Sequence, residues 1–120
     1  MDKILIVDDQ DFYLKSLELA LQHQYEPVLA STYDEAIKKL QEDISIALID
    51  VRLEEEDPEN IDGLKILEWI QMNKPEIASF IMSAYREFSY AEQALNLGAK
   101  HFFKKPIDIK SLRAILEDKA

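Results

Sequence analysis

The chain alternates between short runs of apolar residues and longer stretches in which apolar residues recur every three or four positions. The short runs predict five β-strands, over residues 3–8, 28–30, 45–50, 77–82 and 100–104. Runs of consecutive apolar residues, such as residues 46–49, are typical of strands buried on both faces of a parallel sheet. The stretches between the strands have the period of amphipathic helices, for example at Leu14, Leu17 and Leu21.

Helix-end signals support five helices. Thr32 and Glu35 fit a capping box at the start of the second helix, and Asp108 is expected to cap the fifth. The fourth helix is predicted over residues 85–97 and ends before Gly98, which suits the left-handed position after a helix. This helix is the weakest of the five because it contains several residues that favour strands.

Strict alternation of strands and helices indicates the α/β class. The economical architecture is a five-stranded parallel sheet of doubly wound (βα)5 type, with right-handed crossovers and helices on both faces. A chain of 120 residues is long enough for one domain with its own core. We therefore predict a single domain over residues 1–120.

The composition argues against several classes of function. The net charge of −10 disfavours direct nucleic-acid binding, which needs clustered Lys and Arg. The absence of cysteine excludes disulfides and thiolate metal sites. No apolar run approaches the length of a membrane span, and Met1 leads directly into the first strand rather than into a signal sequence. We therefore expect a cytoplasmic protein without a membrane partner.

Polar side chains follow four of the five predicted strands. Asp8 and Asp9 follow the first strand, Asp50 ends the third, Ser83 follows the fourth and Lys105 follows the fifth. The carboxyl ends of parallel strands meet at one edge of the sheet, where open α/β sheets bind their ligands. We therefore expect these side chains to share one crevice.

Three carboxylates in one crevice repel one another. Two unit charges ~4 Å apart interact with about 4 kcal/mol at an effective dielectric constant near 20. Raised pKa values or a bound cation would relieve this repulsion, and a site made of oxygen ligands suits Mg²⁺. A carboxylate nucleophile, a lysine, a hydroxyl and Mg²⁺ are together suited to phosphoryl transfer onto an aspartate.

The ordered set of motifs resembles the response-regulator receiver domain of two-component signalling, along essentially the whole chain. That family carries an acidic pair after strand one, an acceptor Asp after strand three, a Ser or Thr with a small residue after strand four, and Lys-Pro after strand five. The matching residues here are Asp8-Asp9, Asp50, Ser83-Ala84 and Lys105-Pro106. The resemblance implies a flavodoxin-like sheet with strand order 2-1-3-4-5.

The resemblance also implies a phosphoacceptor and a metal site. Asp50 would accept a phosphoryl group from the phosphohistidine of a histidine kinase or phosphotransfer protein. Asp9 and Asp50 would bind Mg²⁺ directly and Asp8 through water, with the backbone carbonyl of Arg52 as a further ligand. For the Arg52 side chain, and for Tyr85 near Ser83, an exposed position at the rim of the site is the favoured interpretation.

A switch is implied as well. Lys105 would pair with the phosphoryl oxygens, Ser83 would hydrogen-bond one of them, and Phe102 matches the switch aromatic of the family, although an ordinary strand aromatic fits Phe102 equally well. The surface of helix 4, strand 5 and helix 5 would then signal to an output domain, an effector protein or a second copy in a homodimer. Such a protein is not a conventional enzyme, but it catalyses its own phosphorylation and dephosphorylation at Asp50.

The loop after Asp50 departs from the family pattern. Gly63 lies thirteen residues beyond Asp50, farther than is usual in the family, which indicates an insertion. The insertion is rich in acids, at Glu54, Glu55, Glu56, Asp57 and Glu59. We expect it to influence the site without forming it.

Two other functions stay open. A Mg²⁺-dependent phosphohydrolase of the haloacid-dehalogenase type also uses an aspartyl nucleophile, but it needs a second Asp where this chain has Arg52. A receiver-shaped interaction module without phosphorylation is possible, although the acceptor, the acidic pair and the lysine are all present. A dinucleotide-binding domain is disfavoured because Gly63 and Gly98 are the only glycines.

Overall fold

The computed structural model describes residues 1–54, 56–84 and 90–120, and within them five parallel strands form one sheet. The strand order is β2-β1-β3-β4-β5, which confirms the order implied by the resemblance. The strands are β1 (Lys3–Val7), β2 (Glu26–Ala30), β3 (Ile46–Asp50), β4 (Ala78–Ser83) and β5 (Phe102–Lys104).

Helices connect the strands and cover both faces of the sheet. In the described part of the chain they are α1 (Asp11–Leu21), α2 (Tyr33–Lys39), α3 (Asp62–Asn73), α4 (Ala91–Asn96) and α5 (Ile109–Lys119). The fourth helix was predicted over residues 85–97; residues 91–96 are helical, and residues 85–89 lie outside the described residues. No helix in the described ranges is both long enough and apolar enough to span a membrane.

Two apolar layers hold the helices to the sheet. Successive strand side chains point to opposite faces, so Leu5 and Val7 pack with α2, α3 and α4, whereas Ile4 and Ile6 pack with α1 and α5. Both faces of β1, β3 and β4 are therefore buried. This burial explains why most of their residues are apolar, without the alternation of apolar and polar residues typical of a half-exposed strand.

The second helix begins at the predicted cap. The Thr32 hydroxyl accepts a hydrogen bond from the Glu35 N–H at 3.1 Å. The Glu35 carboxylate reaches back to the Ser31 N–H at 3.0 Å, one residue before the expected partner. The cap at Thr32 is thus confirmed, and the return contact is displaced by one residue.

Gly98 ends the fourth helix as predicted. It has φ +96°, and the Gly98 N–H donates to the Leu95 carbonyl at 3.0 Å. The Ala99 N–H donates to the Ala94 carbonyl at 3.1 Å, which completes a Schellman motif. A residue without a side chain adopts this left-handed conformation without a steric cost.

The inserted loop is folded on itself. The Asn60 side-chain oxygen accepts from the Leu53 N–H and from the Asp62 N–H, each at 3.0 Å. The Asp57 carboxylate accepts from the Glu59 N–H at 3.0 Å. These bonds close the base of the loop, so that the chain returns to the sheet edge at the start of α3.

Candidate functional site

The carboxyl edge of the sheet brings three acidic side chains together. The Asp8 N–H donates to the Ala30 carbonyl at 3.1 Å, and β3 ends at Asp50. One carboxylate oxygen from each of Asp8, Asp9 and Asp50 lies within 4.8 Å of the others. Asp8 is fully buried and Asp50 is 4% exposed, whereas Asp9 is half-buried. The strand ends thus converge as the sequence predicted.

Lys105 enters this cluster from the end of β5. Its Nζ lies 2.7 Å from Asp8 Oδ2 and 3.3 Å from Asp50 Oδ1. The Lys105 N–H also donates to the Ser83 carbonyl at 2.7 Å, and the following peptide bond, to Pro106, is cis. Neighbouring Lys104 is exposed, in keeping with the alternation of side chains along a strand.

The environment of Lys105 stabilises its charge. Burial lowers the pKa of the ammonium group, but the nearby carboxylates of Asp50 and Asp8 outweigh this effect, so the pKa is raised above its ordinary value. The ammonium therefore remains charged at neutral pH. It offsets part of the repulsion among the three acids.

Tyr13 covers the same ammonium, and the sequence analysis did not predict this contact. The Lys105 Nζ lies 4.1 Å from the centroid of the Tyr13 ring, within cation–π distance. The available signal was an aromatic residue in the first turn of the helix that follows the acidic pair. An aromatic residue at this position does not by itself indicate a contact with Lys105, which lies near the other end of the chain.

Gly63 holds the backbone of the acceptor candidate in place. The Gly63 N–H donates to the Val51 carbonyl at 2.8 Å. A methyl group at Gly63 would lie 1.9 Å from the backbone oxygen of Asp50, closer than any non-bonded contact allows. Only glycine at this position lets the first turn of α3 pack directly against the end of β3.

The other candidate residues from the sequence are Ser83, Phe102 and Tyr85. Ser83 is fully buried at the end of β4, and its hydroxyl donates to the Ala84 carbonyl at 3.2 Å. Phe102 is half-buried against the apolar layer on the α4 side of the sheet. Tyr85 lies outside the described residues.

The expectation of an exposed Arg52 side chain is wrong, because Arg52 is only 7% exposed. The chain stays close to the sheet after β3 ends: the Val51 N–H donates to the Met82 carbonyl and the Leu53 N–H to Asn60. The inserted loop thus begins beyond Arg52.

Asp9 borders a cleft of about 330 Å³. The cleft lies between the start of α1 and the start of α2, and its lining includes Asp11, Leu14, Leu29 and Glu35. Its presence explains why Asp9 is more accessible than Asp8 and Asp50. Of the three acids, Asp9 is the one that lines this cleft.

The cluster has the chemistry of a site for a hard cation. All three of its side chains offer carboxylate oxygens, which Mg²⁺ prefers over softer ligands. The three acids and Lys105 have a formal charge of −2 together, which a divalent cation balances. The donor set therefore fits the magnesium ion that the sequence analysis anticipated.

Comparisons with known proteins agree with this arrangement. Residues 4–117 match the family model of the response regulator receiver domain. The chain is 34% identical over 116 residues to the transcriptional regulatory protein ZraR of Escherichia coli (strain K12), which covers 95% of this chain and 25% of ZraR. It is 33% identical over 116 residues to the response regulator protein PilR of Pseudomonas aeruginosa, with the same two coverages.

A solved structure shows the same fold. The CheY-like response regulator receiver domain protein from Methanospirillum hungatei JF-1 superposes with a TM-score of 0.87 at 27% identity, covering 99% of this chain and 93% of that one. The chain spans about a quarter of the length of ZraR and PilR. Because the family model matches nearly the whole chain, this protein belongs to the receiver-domain family of two-component response regulators.

Proposed function

We propose that the chain accepts a phosphoryl group on Asp50 from the phosphohistidine of a histidine kinase or phosphotransfer protein. The observation that carries this proposal is the position of Lys105, whose Nζ lies 3.3 Å from Asp50 within the cluster of three acids. A fixed positive charge beside a carboxylate nucleophile is suited to stabilise negative charge on a transferring phosphoryl group.

The reaction forms one bond and breaks another. A carboxylate oxygen of Asp50 attacks phosphorus, and the bond between phosphorus and the donor imidazole nitrogen breaks. The electron pair of that bond stays on the nitrogen, and the ring leaves as neutral histidine because its other nitrogen carries a proton. Hydrolysis by water later regenerates Asp50 and releases inorganic phosphate. The chain thus catalyses its own phosphorylation and dephosphorylation without being a conventional enzyme.

Asp8, Asp9 and Asp50 would hold Mg²⁺, with the backbone carbonyl of Arg52 as a further oxygen ligand. When bound, the ion neutralises charge on the carboxylates and the phosphoryl oxygens. Lys105 contributes separately, since its ammonium is in place before any phosphoryl group arrives. The buried Ser83 would donate a hydrogen bond to one phosphoryl oxygen after a local rearrangement.

Mass spectrometry after incubation with acetyl phosphate and Mg²⁺ tests the acceptor. We expect one phosphoryl group on the wild type and none on Asp50→Asn, because an amide is a poor nucleophile. Asp43→Asn serves as the control, since this exposed acid precedes β3, at the edge of the sheet opposite Asp50, and should leave labelling unchanged. Label that persists in Asp50→Asn would contradict the assignment.

We further propose that α4, β5 and α5 form the surface that changes on phosphorylation. Ser83 and Lys105 are joined by a backbone hydrogen bond of 2.7 Å, so movement of either is transmitted to the other. Phe102 pairs with Ile81 across β4 and β5 and packs on the α4 side. The changed surface would contact an output domain, an effector protein or a second copy of the chain.

Hydrogen exchange with and without beryllofluoride tests this surface. A hydrogen bond to a charged group is worth roughly 1.5–3 kcal/mol, enough to shift a two-state equilibrium about tenfold to a hundredfold. We expect altered exchange across residues 90–105. Changes restricted to the loops around Asp8 and Asp50 would show that the signal leaves by another route.

A further inference from the structure

The contact between Tyr13 and Lys105 has no counterpart in the motifs that identify the family. Tyr13 lies in the first turn of α1, one helical turn beyond Asp9. Its ring centroid is 4.1 Å from the Lys105 Nζ, which also lies 2.7 Å from Asp8 and 3.3 Å from Asp50. The ring and the two carboxylates thus surround one ammonium group.

Core packing does not account for the position of Tyr13. Its side chain is half-buried and, among the described residues, belongs to neither of the two apolar layers that hold the helices to the sheet. Neighbouring Phe12 is 73% exposed and meets the Tyr13 ring edge-on, at 5.6 Å between centroids. The contact with a buried charge is therefore the main interaction that places this ring at the site.

A cation–π contact is strongest when the cation is removed from water. The Lys105 side chain is 8% exposed, so little solvent competes with the ring for the ammonium. An ammonium has three N–H donors. Two carboxylates and the face of the Tyr13 ring contact the Lys105 ammonium.

We infer that Tyr13 is a positioning residue that holds the Lys105 ammonium beside Asp50. The inference rests on the proposed function, since the held ammonium is the group that stabilises the transferring phosphoryl charge. Without the ring, the flexible lysine chain would sample positions away from Asp50. The preorganised charge that assists the transfer would then be present for a smaller fraction of the time.

Rates of phosphorylation by acetyl phosphate at saturating Mg²⁺ test the inference. Tyr13→Leu should slow the reaction roughly threefold to tenfold, as the loss of a desolvated cation–π contact implies. Tyr13→Phe should stay within about twofold of wild type, because the ring face is kept. Phe12→Leu is the matched control, since it removes a neighbouring aromatic ring that is exposed.

A fluorinated ring at position 13 distinguishes the electrostatic effect of the ring on Lys105 from the effect of its shape. Pentafluorophenylalanine at position 13 fills nearly the same space as phenylalanine, but its fluorines reverse the ring quadrupole that attracts the ammonium. We expect the Tyr13→pentafluorophenylalanine variant to be as slow as Tyr13→Leu. Equal rates for the Phe and pentafluorophenylalanine variants would show that only shape matters, and would overturn the inference.

Nuclear magnetic resonance of the metal-free protein supplies a readout that does not depend on phosphorylation. The ε-methylene protons of Lys105 should carry an upfield ring-current shift in wild type and Tyr13→Phe, and lose it in Tyr13→Leu. If neither wild type nor any variant is phosphorylated, the proposed function fails. The comparison of the Lys105 chemical shifts still decides, in that case, whether Tyr13 positions Lys105. Unchanged lysine shifts in Tyr13→Leu would overturn the inference.

Discussion

At the scale of residues, the adjacent acids Asp8 and Asp9 differ in their surroundings. Asp8 is fully buried, pairs with Lys105 at 2.7 Å, and accepts the Gln10 N–H at 3.0 Å. Asp9 is half-buried and faces the cleft beside α1. Asp8 therefore contributes to the fold as well as to the site, whereas Asp9 is the more accessible of the two acids and its charge repels those of Asp8 and Asp50.

This difference predicts opposite effects on stability without metal. Asp8→Asn should lower the free energy of unfolding by about 1–3 kcal/mol, because it weakens a buried, charged hydrogen bond. Asp9→Asn should raise it by up to about 1 kcal/mol, since it removes one of three mutually repelling charges. Urea denaturation in the presence of a chelator measures both. A similar loss in the two variants would mean that Asp9 also has a structural role.

His101 gives the fold a dependence on mildly acidic pH. Burial lowers the pKa of His101, and the positive charge of Lys119 lowers it further. The folded state therefore binds this proton less tightly than the unfolded state, and stability is lost as the pH falls below the ordinary histidine pKa of about 6.5. The ring of His101 also packs against that of Phe103 in a tilted arrangement, with ring centroids 4.8 Å apart.

Replacing His101 should remove this dependence. We expect the stability advantage of wild type over His101→Gln to shrink between about pH 7.5 and about pH 5.5, measured by urea denaturation. Lys119→Gln should raise the pKa of His101 in a titration followed by nuclear magnetic resonance. That pKa should still stay below the ordinary value, because burial is the larger cause. If the difference in unfolding free energy between wild type and His101→Gln did not change with pH, this account would be contradicted.

Which site residues the sequence predicts depends on how local their signals are. Lys105 is distinguished from Lys104 by the Lys-Pro motif of the family, and Asp8, Asp9 and Asp50 follow directly from the strand ends. The ring of Tyr13 lies over Lys105 because the fold brings the start of α1 within reach of the residue that follows β5, which no local pattern encodes.

At the scale of elements, Gly63 and Gly98 are needed for different structural reasons. A methyl group at Gly63 would collide with the backbone of Asp50, which cannot move without displacing the proposed acceptor. A methyl group at Gly98 would meet the side chain of Gln71, which can move aside. The junction of β3 and α3 is thus rigidly specified, whereas the end of α4 is limited mainly by its left-handed backbone conformation.

We therefore expect unequal costs from two identical substitutions. Gly63→Ala should cost about 3 kcal/mol or more and slow phosphorylation of Asp50, because the overlap is with backbone. Gly98→Ala should cost about 1 kcal/mol and leave the phosphorylation rate unchanged. Urea denaturation and acetyl phosphate labelling measure the two effects. Equal stability of the two variants would show that α3 can move away from β3 at little cost.

The strands and helices themselves were largely predictable, because each depends on a local pattern. The predicted second strand began at residue 28, but β2 starts at Glu26 and includes Pro27. As an edge strand that pairs only with β1, it tolerates the missing N–H of proline. The predicted fifth strand began at residue 100, whereas β5 starts at Phe102, although Lys100 still donates to the Ser79 carbonyl at 2.7 Å.

At the scale of the whole molecule, the net charge of −10 acts on any cation that approaches the site. The exposed acids of the inserted loop lie at the carboxyl edge of the sheet, shortly after Asp50. Asp2, Asp43 and Glu76 are exposed as well but precede strands, at the opposite edge. Removing charges at the carboxyl edge should therefore weaken metal binding more than removing the same number of charges at the opposite edge.

The triple variant Glu54→Gln, Glu56→Gln, Glu59→Gln should bind Mg²⁺ more weakly than wild type at an ionic strength of about 0.1 M. The matched control is Asp2→Asn, Asp43→Asn, Glu76→Gln, whose charges lie about a strand length from the site, beyond the screening length of ~10 Å. Titration calorimetry compares them. We expect the difference to vanish in about 1 M salt, and equal affinities at the lower ionic strength would show that the loop does not act on the metal.

The doubly wound parallel sheet was predictable from the alternation of elements, whereas its strand order followed from the family resemblance. The shared edge was predictable as well, since the carboxyl ends of parallel strands meet there whatever the side chains are. The course of the inserted loop was not, because it depends on Asn60, which receives hydrogen bonds from both sides of the loop. A single amide in a polar segment gives no periodic signal.

Because hydrogen bonds close the base of that loop, its tip is a suitable place for the insertion of additional residues. Because Asn60 and the Gly63 N–H join the two ends of the loop, its tip lies beyond a base that these hydrogen bonds fix. Lengthening a flexible loop costs free energy only logarithmically, about 0.6 kcal/mol per doubling of its length. A peptide or fluorophore inserted between Glu56 and Pro58 should therefore leave the end of β3, and with it Asp50, in place.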